Sequence, residues 1–187
     1  MFKRVDANID LPSVESEISA YWDKINAFET SVENRKNDKT FRFYDGPPFP
    51  TGSPHYGNLL AGVIKDIVPR YWTMRGYYVE RRFGWDVHGL PIEMEVQKKL
   101  NLEDPQQIDE YGIDKFNEAC RSQVQTNTEN WEKITRKIGR WVDFENDYKT
   151  MDIEFMESVW WVFKELWSKG LIYQDYKVLP YSWAAST

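Results

Sequence analysis

The sequence predicts an α/β fold with a parallel sheet, followed by a helical, Trp-rich C-terminal portion. Residues 41–44 are aromatic and extended in character, and a loop rich in Gly and Pro separates them from a long amphipathic pattern that begins at Tyr56. A second short apolar stretch, residues 77–79, follows that pattern. Strand, helix and strand in this order make a βαβ unit, and such a unit requires a parallel sheet.

Amphipathic helices are predicted on both sides of the first strand. Apolar residues at three- and four-residue steps predict a helix over residues 14–28, with Ser13 as its N-cap. The helix that begins at Tyr56 carries a continuous apolar stripe, and Gly76 can end it. Pro69 lies inside this helix and should bend it or mark a weak turn.

The sequence changes in character at residue 97, where helices are predicted. A polar, turn-rich stretch leads into a long helical pattern that stops at Gly139. A further helix covers residues 155–167, and we expect its Trp-rich stripe to be buried core. Residues 171–173 and 176–183 are predicted to form one or two strands.

Composition limits the function classes. The chain has 187 residues, 41% hydrophobic and 16% aromatic, which argues against disorder. Its formal charge of -6 argues against a general polyanion-binding surface. The single cysteine, Cys120, excludes a disulfide framework and, with only two histidines in the chain, a zinc site. Because no apolar run approaches ~20 residues, we expect no membrane span and a cytoplasmic protein.

The loop after the first strand is a candidate anion site. His55 is expected at the first turn of the following helix, where its imidazole can donate to a phosphate oxygen beside the helix N-terminus. Gly57 has no side chain and would let a flat base lie against the backbone. The alternative interpretation makes His55 a helix-capping residue.

A second candidate site follows residues 77–79. Asp86 offers a carboxylate for an ammonium group, and Gly84 and Gly89 on either side allow close approach of the backbone to a small ligand. The alternative makes Asp86 a loop cap bonded to its own backbone. Glu93 and Glu95 are expected on a solvated helix face.

Together the two stretches resemble the class I aminoacyl-tRNA synthetases, and within them the isoleucyl family of the eukaryotic cytoplasmic type. Residues 44–58 are similar to the family's HIGH-signature segment, and residues 81–93 are similar to R-R-F-G-W-D-C-H-G-L-P-I-E. Residues 139–150 and 155–164 continue the likeness. A leucyl enzyme would read G-W-D-A-F-G-L-P, and a valyl enzyme would carry a P-G-x-D-H-A-G run.

The resemblance implies ATP-dependent activation of isoleucine to an adenylate, followed by transfer to tRNA-Ile. It implies that His55 and Asn58 are catalytic and bind the ATP phosphates, with Gly57 under the adenine. Mg²⁺ is expected with ATP, although no protein ligand for it is identifiable in the sequence. Asp86 would anchor the α-ammonium group of isoleucine, and the amino-acid pocket would also include Gly46 and Pro47.

The resemblance also implies a domain organisation. Residues 1–40 would be a helical lead, residues 41–96 the first half of a Rossmann-like catalytic fold with the HIGH-type motif, and residues 97–187 a helical connective region. The chain stops at Thr187, where the family's editing insertion would begin. We therefore expect an N-terminal fragment whose partner is the missing C-terminal portion of the synthetase.

Asn58 departs from the family pattern, which has histidine there; asparagine keeps a hydrogen-bond donor and loses any positive charge. Two rival interpretations remain open at this point. One is a non-catalytic, truncated paralogue that binds a nucleotide or a partner. The other is a nucleotidylyltransferase, which would leave the Asp86 and Trp-rich stretches unexplained.

Overall fold

The structure, a computed structural model, describes residues 8–183; residues 1–7 and 184–187, with the chain end at Thr187, lie outside the described part. The chain divides into two units, Met1–Met151 and Asp152–Thr187. The helices and strands of the described residues are α1 (Leu11–Lys24), α2 (Ala27–Glu33), α3 (Tyr56–Met74), β1 (Arg82–Trp85), α4 (Leu90–Leu100), α5 (Pro105–Tyr111), α6 (Ile113–Lys137), β2 (Asp143–Lys149) and α7 (Ile153–Ser168).

A two-stranded parallel sheet lies at the centre of the first unit. Strands β1 and β2 pair with Arg82 opposite Asp143 and Gly84 opposite Tyr148, so the register shifts between these two pairs. The extra β2 residues form a turn in which the Asp143 carboxylate accepts hydrogen bonds from the backbone N–H groups of Glu145 and Asn146, each at 2.9 Å. A parallel sheet is therefore present, as predicted, and helices α4 to α6 make its crossover.

The predicted strands are the main correction. Residues 41–44 and 77–79 form no strand, and their pairing is reduced to one parallel bridge between Thr40 and Tyr78. That bridge is closed by hydrogen bonds from Phe41 N to Tyr78 O and from Tyr78 N to Lys39 O. The strand forms instead at β1, where three of the four residues are buried, because pairing with β2 and burial of its side chains act together.

Phe83 and Trp85 of β1 lie at the centre of the hydrophobic core, each 1% exposed. Their ring centroids are 4.4 Å apart, and Phe83 stacks on Phe144 of β2 at 4.7 Å. Helices α4 and α6 cover this aromatic cluster with Ile92, Val96, Phe116, Val124 and Trp131. Each such side chain contributes roughly 1.5–3 kcal/mol on burial, so this cluster stabilises the sheet and the two helices that cover it.

The N-terminal lead folds as two helices rather than the single predicted one. Asn26 has a φ of 46°, a left-handed conformation that asparagine tolerates, and it separates α1 from α2. The N-cap of α1 is Asp10 rather than Ser13. Trp22 of α1 contacts Trp141 edge-on, with ring centroids 5.3 Å apart, so the lead packs on the segment that precedes β2.

Helix α3 begins at Tyr56, as predicted, and continues without a break through Pro69 to Met74. Arg81, just before β1, donates from Nη2 to the Pro69 carbonyl at 3.3 Å and to Thr73 Oγ1. Burial lowers the pKa of Arg81 to about 10, and neighbouring Arg70 adds to this effect while Asp66 opposes it. Arg81 thus ties β1 to α3 and remains cationic at neutral pH.

Helix α7 is the one regular element of the second unit among residues 152–183. It has no buried residue, and Trp160, Trp161 and Trp167 are 64%, 62% and 65% exposed. The prediction that this stripe forms core is therefore not confirmed, because the described part of this unit contains no second element to cover it. Residues 171–183 form no strand, since an extended segment needs a neighbouring strand for its backbone groups.

Candidate functional site

His55 is the N-cap residue of helix α3, with extended backbone at φ -93° and ψ 170°. Its Nδ1 accepts a hydrogen bond from the backbone N–H of Gly57 at 3.1 Å. Because Nδ1 is the acceptor, the proton of the neutral ring is on Nε2. His55 therefore caps the helix, as the alternative interpretation proposed. The cap uses only one ring nitrogen, so Nε2–H remains a donor at the helix N-terminus.

Asn58 completes this cap. Its Oδ1 accepts from the backbone N–H of His55 at 3.0 Å, which makes a reciprocal capping box. Asparagine suits this position because its carbonyl oxygen closes the cap while its Nδ2 group remains a donor. The departure from histidine at position 58 thus has a structural explanation.

Gly57 makes room for the His55 ring. A Cβ at position 57 would lie 3.0 Å from Cε1 and 3.1 Å from Nδ1 of His55, tighter than ordinary contact. The glycine therefore has a role within the cap, in addition to the expected one of receiving a base.

The preceding loop is anchored by Asp45, whose side chain is fully buried. Its carboxylate pairs with Arg140 Nη2 at 2.6 Å and with Lys65 Nζ at 2.7 Å. Lys65 Nζ also donates to the carbonyl oxygen of Gly46 at 2.6 Å. These contacts fix the backbone at Gly46 and Pro47 from helix α3 on one side and from the segment before β2 on the other.

Asp86 lies just after β1 and is half-buried. Its backbone N–H donates to the Pro48 carbonyl at 2.9 Å, which joins the second candidate motif to the first. Its Oδ1 accepts from Thr150 Oγ1 at 3.4 Å. These contacts differ from the alternative interpretation, a loop cap bonded to its own backbone, because Asp86 bonds instead to the loop at Pro48 and to the end of β2.

Tyr148 of β2 lies between the two motifs. Its hydroxyl donates to the Asp45 carbonyl at 3.0 Å. Burial raises the pKa of Tyr148, and the negative charges of Asp45 and Asp86 raise it further. The phenol therefore stays neutral and serves as a donor to the loop.

Pro48 connects the two candidate motifs. Pro48 accepts from the Asp86 backbone, and it also lines a cavity of about 150 Å³ with Asn58, Lys65 and Arg140. His55, Gly57 and Asn58 form one cap, Gly46 and Pro47 precede Pro48, and Asp86 follows β1. The predicted site residues therefore lie in the loop at Gly46 and Pro47, in the N-cap and first turn of α3, and just after β1.

Sequence reasoning missed the residues that hold this arrangement. They are Asp45, Lys65, Arg140, Tyr148 and Thr150. The available signal was the carboxylate of Asp45, which lies within the first motif immediately before Gly-Pro-Pro and would need a cationic partner if it were buried.

No group of three His, Cys, Asp or Glu side chains within residues 8–183 could hold a metal ion. None of the helices in the same part of the chain is both long and apolar enough to cross a membrane.

The family described as tRNA synthetases class I (I, L, M and V) matches residues 17–187. The chain is 52% identical over 187 residues to Isoleucine--tRNA ligase of Treponema denticola, covering 100% of this chain and 17% of that protein. It is 54% identical over 176 residues to the cytoplasmic Isoleucine--tRNA ligase of Arabidopsis thaliana, covering 94% of this chain and 15% of that protein. The chain therefore spans less than a fifth of the length of these relatives.

A solved structure supports the fold. The LeuRS-tRNA-LeuAMS ternary complex from Agrobacterium radiobacter K84 matches with a TM-score of 0.59 and 23% identity, over 90% of this chain and 19% of that chain. Since the family match extends over residues 17–187 and the fold agrees with it, the chain belongs to the class I tRNA synthetases of the isoleucine, leucine, methionine and valine group.

Proposed function

We propose that this chain forms part of an isoleucine--tRNA ligase that activates isoleucine with ATP and transfers it to tRNA-Ile. Relatives at 52% and 54% identity bear that name, and the two loops described above provide donors for phosphate and an acceptor for ammonium. The sheet and its flanking helices would be the first half of a Rossmann-like catalytic fold. The remaining synthetase would supply the opposing half of the site and most contacts to tRNA, in the cytoplasm.

One contact carries the proposal. The hydrogen bond from Asp86 N to Pro48 O, at 2.9 Å, holds the candidate ammonium ligand against the loop that leads to the His55 cap. Activation requires an amino acid and a nucleotide to be held side by side, and this contact joins one candidate group for each.

In the activation step, a carboxylate oxygen of isoleucine would attack the α-phosphorus of ATP. A bond forms between that oxygen and phosphorus, and the bond from phosphorus to pyrophosphate breaks. Because an α-carboxyl group has a pKa of about 3.5, the nucleophile is already ionised at neutral pH and needs no general base. Catalysis then depends on positioning and on stabilisation of the developing phosphate charge.

The chain's own residues would contribute to both. His55 Nε2–H and Asn58 Nδ2–H would donate to phosphate oxygens, assisted by the positive end of the α3 dipole. Gly57 would allow the adenine to approach the backbone. Asp86 would receive the α-ammonium group, and Gly46 and Pro47 would border the amino-acid pocket. Mg²⁺ would accompany ATP and neutralise phosphate charge.

Isoleucine-dependent exchange of labelled pyrophosphate into ATP, measured in a full-length protein that carries this chain, tests the proposal. We expect exchange that requires isoleucine and that falls when His55 or Asp86 is changed. Absence of exchange in the full-length protein, with ATP binding retained, would favour a nucleotide-binding module without catalysis and would refute the enzyme assignment.

A further inference from the structure

Thr150 makes contacts that neither the sequence motifs nor the family match assigns to a role. It directly follows β2, its side chain is buried at 7% exposure, and its backbone N–H donates to the Trp85 carbonyl at 3.0 Å. Its hydroxyl oxygen lies within hydrogen-bonding distance of three consecutive residues after β1, namely Asp86, Val87 and His88. One buried hydroxyl group therefore contacts all three residues, Asp86, Val87 and His88, that begin the loop after β1.

The chemistry of a hydroxyl group limits how these contacts can be made. It has one proton to donate and two lone pairs that accept. The Val87 backbone N–H donates to Thr150 Oγ1 at 3.0 Å and occupies one lone pair. The Asp86 carboxylate, at 3.4 Å, can only accept, so it requires the Thr150 proton.

His88 then completes the set. Its Nδ1 lies 2.7 Å from Thr150 Oγ1. If Nδ1 carries the proton of the neutral ring, it donates to the second lone pair, and the Thr150 hydroxyl is left to donate to Asp86. If Nε2 carries the proton instead, Nδ1 competes with Asp86 for the one hydroxyl proton. The first arrangement satisfies all partners of a buried group, which is the usual requirement.

We infer that Thr150 is a positioning residue that couples His88 to Asp86 and orients the Asp86 carboxylate toward the amino-acid substrate. In this arrangement Oδ1 of Asp86 is held by the Thr150 hydroxyl, and Oδ2 is the oxygen presented to an ammonium group. The exposed His88 ring is held in its Nδ1–H tautomer by the same hydroxyl. We call the two hydrogen bonds, from His88 to Thr150 and from Thr150 to Asp86, the relay. The orientation of Asp86 toward isoleucine rests on the proposed function, but the relay does not.

The relay can be tested without any enzymatic activity. The chain contains only two histidines, His55 and His88, so long-range proton–nitrogen NMR spectra of histidine-labelled chain give two assignable rings. We expect His88 in the Nδ1–H form in wild type and in Thr150→Ser, and a change to the Nε2–H form in Thr150→Val. His55 should be in the Nε2–H form throughout, because its Nδ1 accepts from Gly57.

The positioning role is tested by the kinetics of isoleucine-dependent pyrophosphate exchange in a full-length protein that carries the chain. Thr150→Val keeps the side-chain shape and removes the hydroxyl, and we expect it to raise the KM for isoleucine roughly three- to tenfold with little change in the KM for ATP. Thr150→Ser should restore the wild-type value. Thr128→Val is the matched control, because Thr128 is a buried helical threonine whose hydroxyl donates to the Gln125 carbonyl of its own helix.

The outcomes separate the inference from the proposed function. A His88 ring that stays in one tautomer in wild type and in Thr150→Val would overturn the relay, whatever the enzyme does. The positioning role would be overturned if the His88 tautomers behave as expected but the KM for isoleucine is unchanged in Thr150→Val. It would also be overturned if Thr150→Ser has the same raised KM for isoleucine as Thr150→Val. Absence of isoleucine-dependent exchange in wild type would refute the proposed function alone, since the tautomers still decide the relay.

Discussion

The ring of Tyr148 lies directly on Gly84, at the position a side chain would otherwise occupy. A Cβ at position 84 would come within 2.2 Å of Tyr148 Cζ and 2.4 Å of its hydroxyl oxygen. Because that hydroxyl donates to the Asp45 carbonyl, the absence of a side chain at position 84 allows β2 to reach the loop before α3. The glycine of this motif is thus explained by a contact within the chain.

Gly84→Ala should displace Tyr148 and destabilise the first unit. Inserting a methyl group into a packed site costs typically about 1–3 kcal/mol. Urea denaturation followed by tryptophan fluorescence measures the change in the free energy of unfolding. Gly62→Ala is the matched control: its Cβ would meet Ile138 Cδ1 at 3.6 Å, an ordinary contact, so stability should be unchanged or slightly higher. Equal effects from the two variants would contradict the steric explanation.

Tyr148 should also contribute to the pH dependence of stability. Its pKa is raised in the folded chain above the ordinary value of 10.0, chiefly by burial. The folded state therefore keeps the proton where the unfolded state loses it, so the contribution is fully present below about pH 10 and is lost as the pH rises through the folded pKa. Tyr148→Phe is the comparison variant, because phenylalanine has no hydroxyl group that can ionise.

The measurement compares wild type with Tyr148→Phe in urea denaturation between pH 8 and about pH 11. The difference in unfolding free energy between the two should shift in favour of Tyr148→Phe above about pH 10. A difference that is constant across this range would show that the phenol does not resist ionisation in the folded chain.

Removal of one partner from the buried ion pair of Asp45 and Arg140 should lower the free energy of unfolding strongly. Arg140→Met leaves the Asp45 carboxylate buried with only Lys65 as cationic partner, and removal of one partner from a buried pair typically costs about 3–5 kcal/mol. Arg136→Met removes an exposed i,i+4 pair with Glu132 and should cost at most about 1 kcal/mol. Comparable losses in the two variants would argue against a buried anchor for the loop.

Asp86→Ala should raise the isoleucine requirement far more than the ATP requirement. A charge-assisted hydrogen bond contributes about 1.5–3 kcal/mol, which corresponds to a roughly 10- to 150-fold rise in the KM for isoleucine. Pyrophosphate exchange in a full-length protein measures both KM values. A similar rise in the two would count against Asp86 as the ammonium anchor.

The two functions of His55 can be separated by substitution. His55→Ala removes both the Nδ1 acceptor and the Nε2–H donor, so it should cost about 1 kcal/mol of stability and slow adenylate formation. His55→Asn keeps an N-cap acceptor, so it should retain the stability and still lose rate. If His55→Asn is as active as wild type, His55 acts only as a cap.

The sequence was most informative where local chemistry determines the structure. The start of α3 at Tyr56 and the place of His55 at its N-terminus follow from a Gly/Pro-rich loop that ends at an amphipathic run, and both were predicted. Strand β1 was missed because Arg82 and Gly84 interrupt its apolar pattern. Strand β2 was missed because it reads Asp-Phe-Glu-Asn-Asp-Tyr-Lys, a polar sequence with no alternation that a local pattern could reveal.

The residues that hold the two motifs in place could not be predicted for a related reason. Asp45 meets Arg140 across 95 positions, and Thr150 meets Asp86 across 64. Such pairings depend on the register of β1 and β2 and on the crossover between them, which no local pattern specifies. The residues that were predicted are those proposed to bind the substrates, and the residues that were missed hold the two motifs in place.

The capping box of α3 determines when the His55 and Asn58 side chains lose their conformational entropy. His55 is held by the Gly57 backbone and Asn58 by the His55 backbone, so both side chains are ordered when the helix forms. Immobilising a side chain at binding costs about 0.5–1.5 kcal/mol of conformational entropy. Here that entropy is lost during folding, so under the proposed function a phosphate group would meet donors that are already ordered, and less of the binding energy would be spent on ordering them.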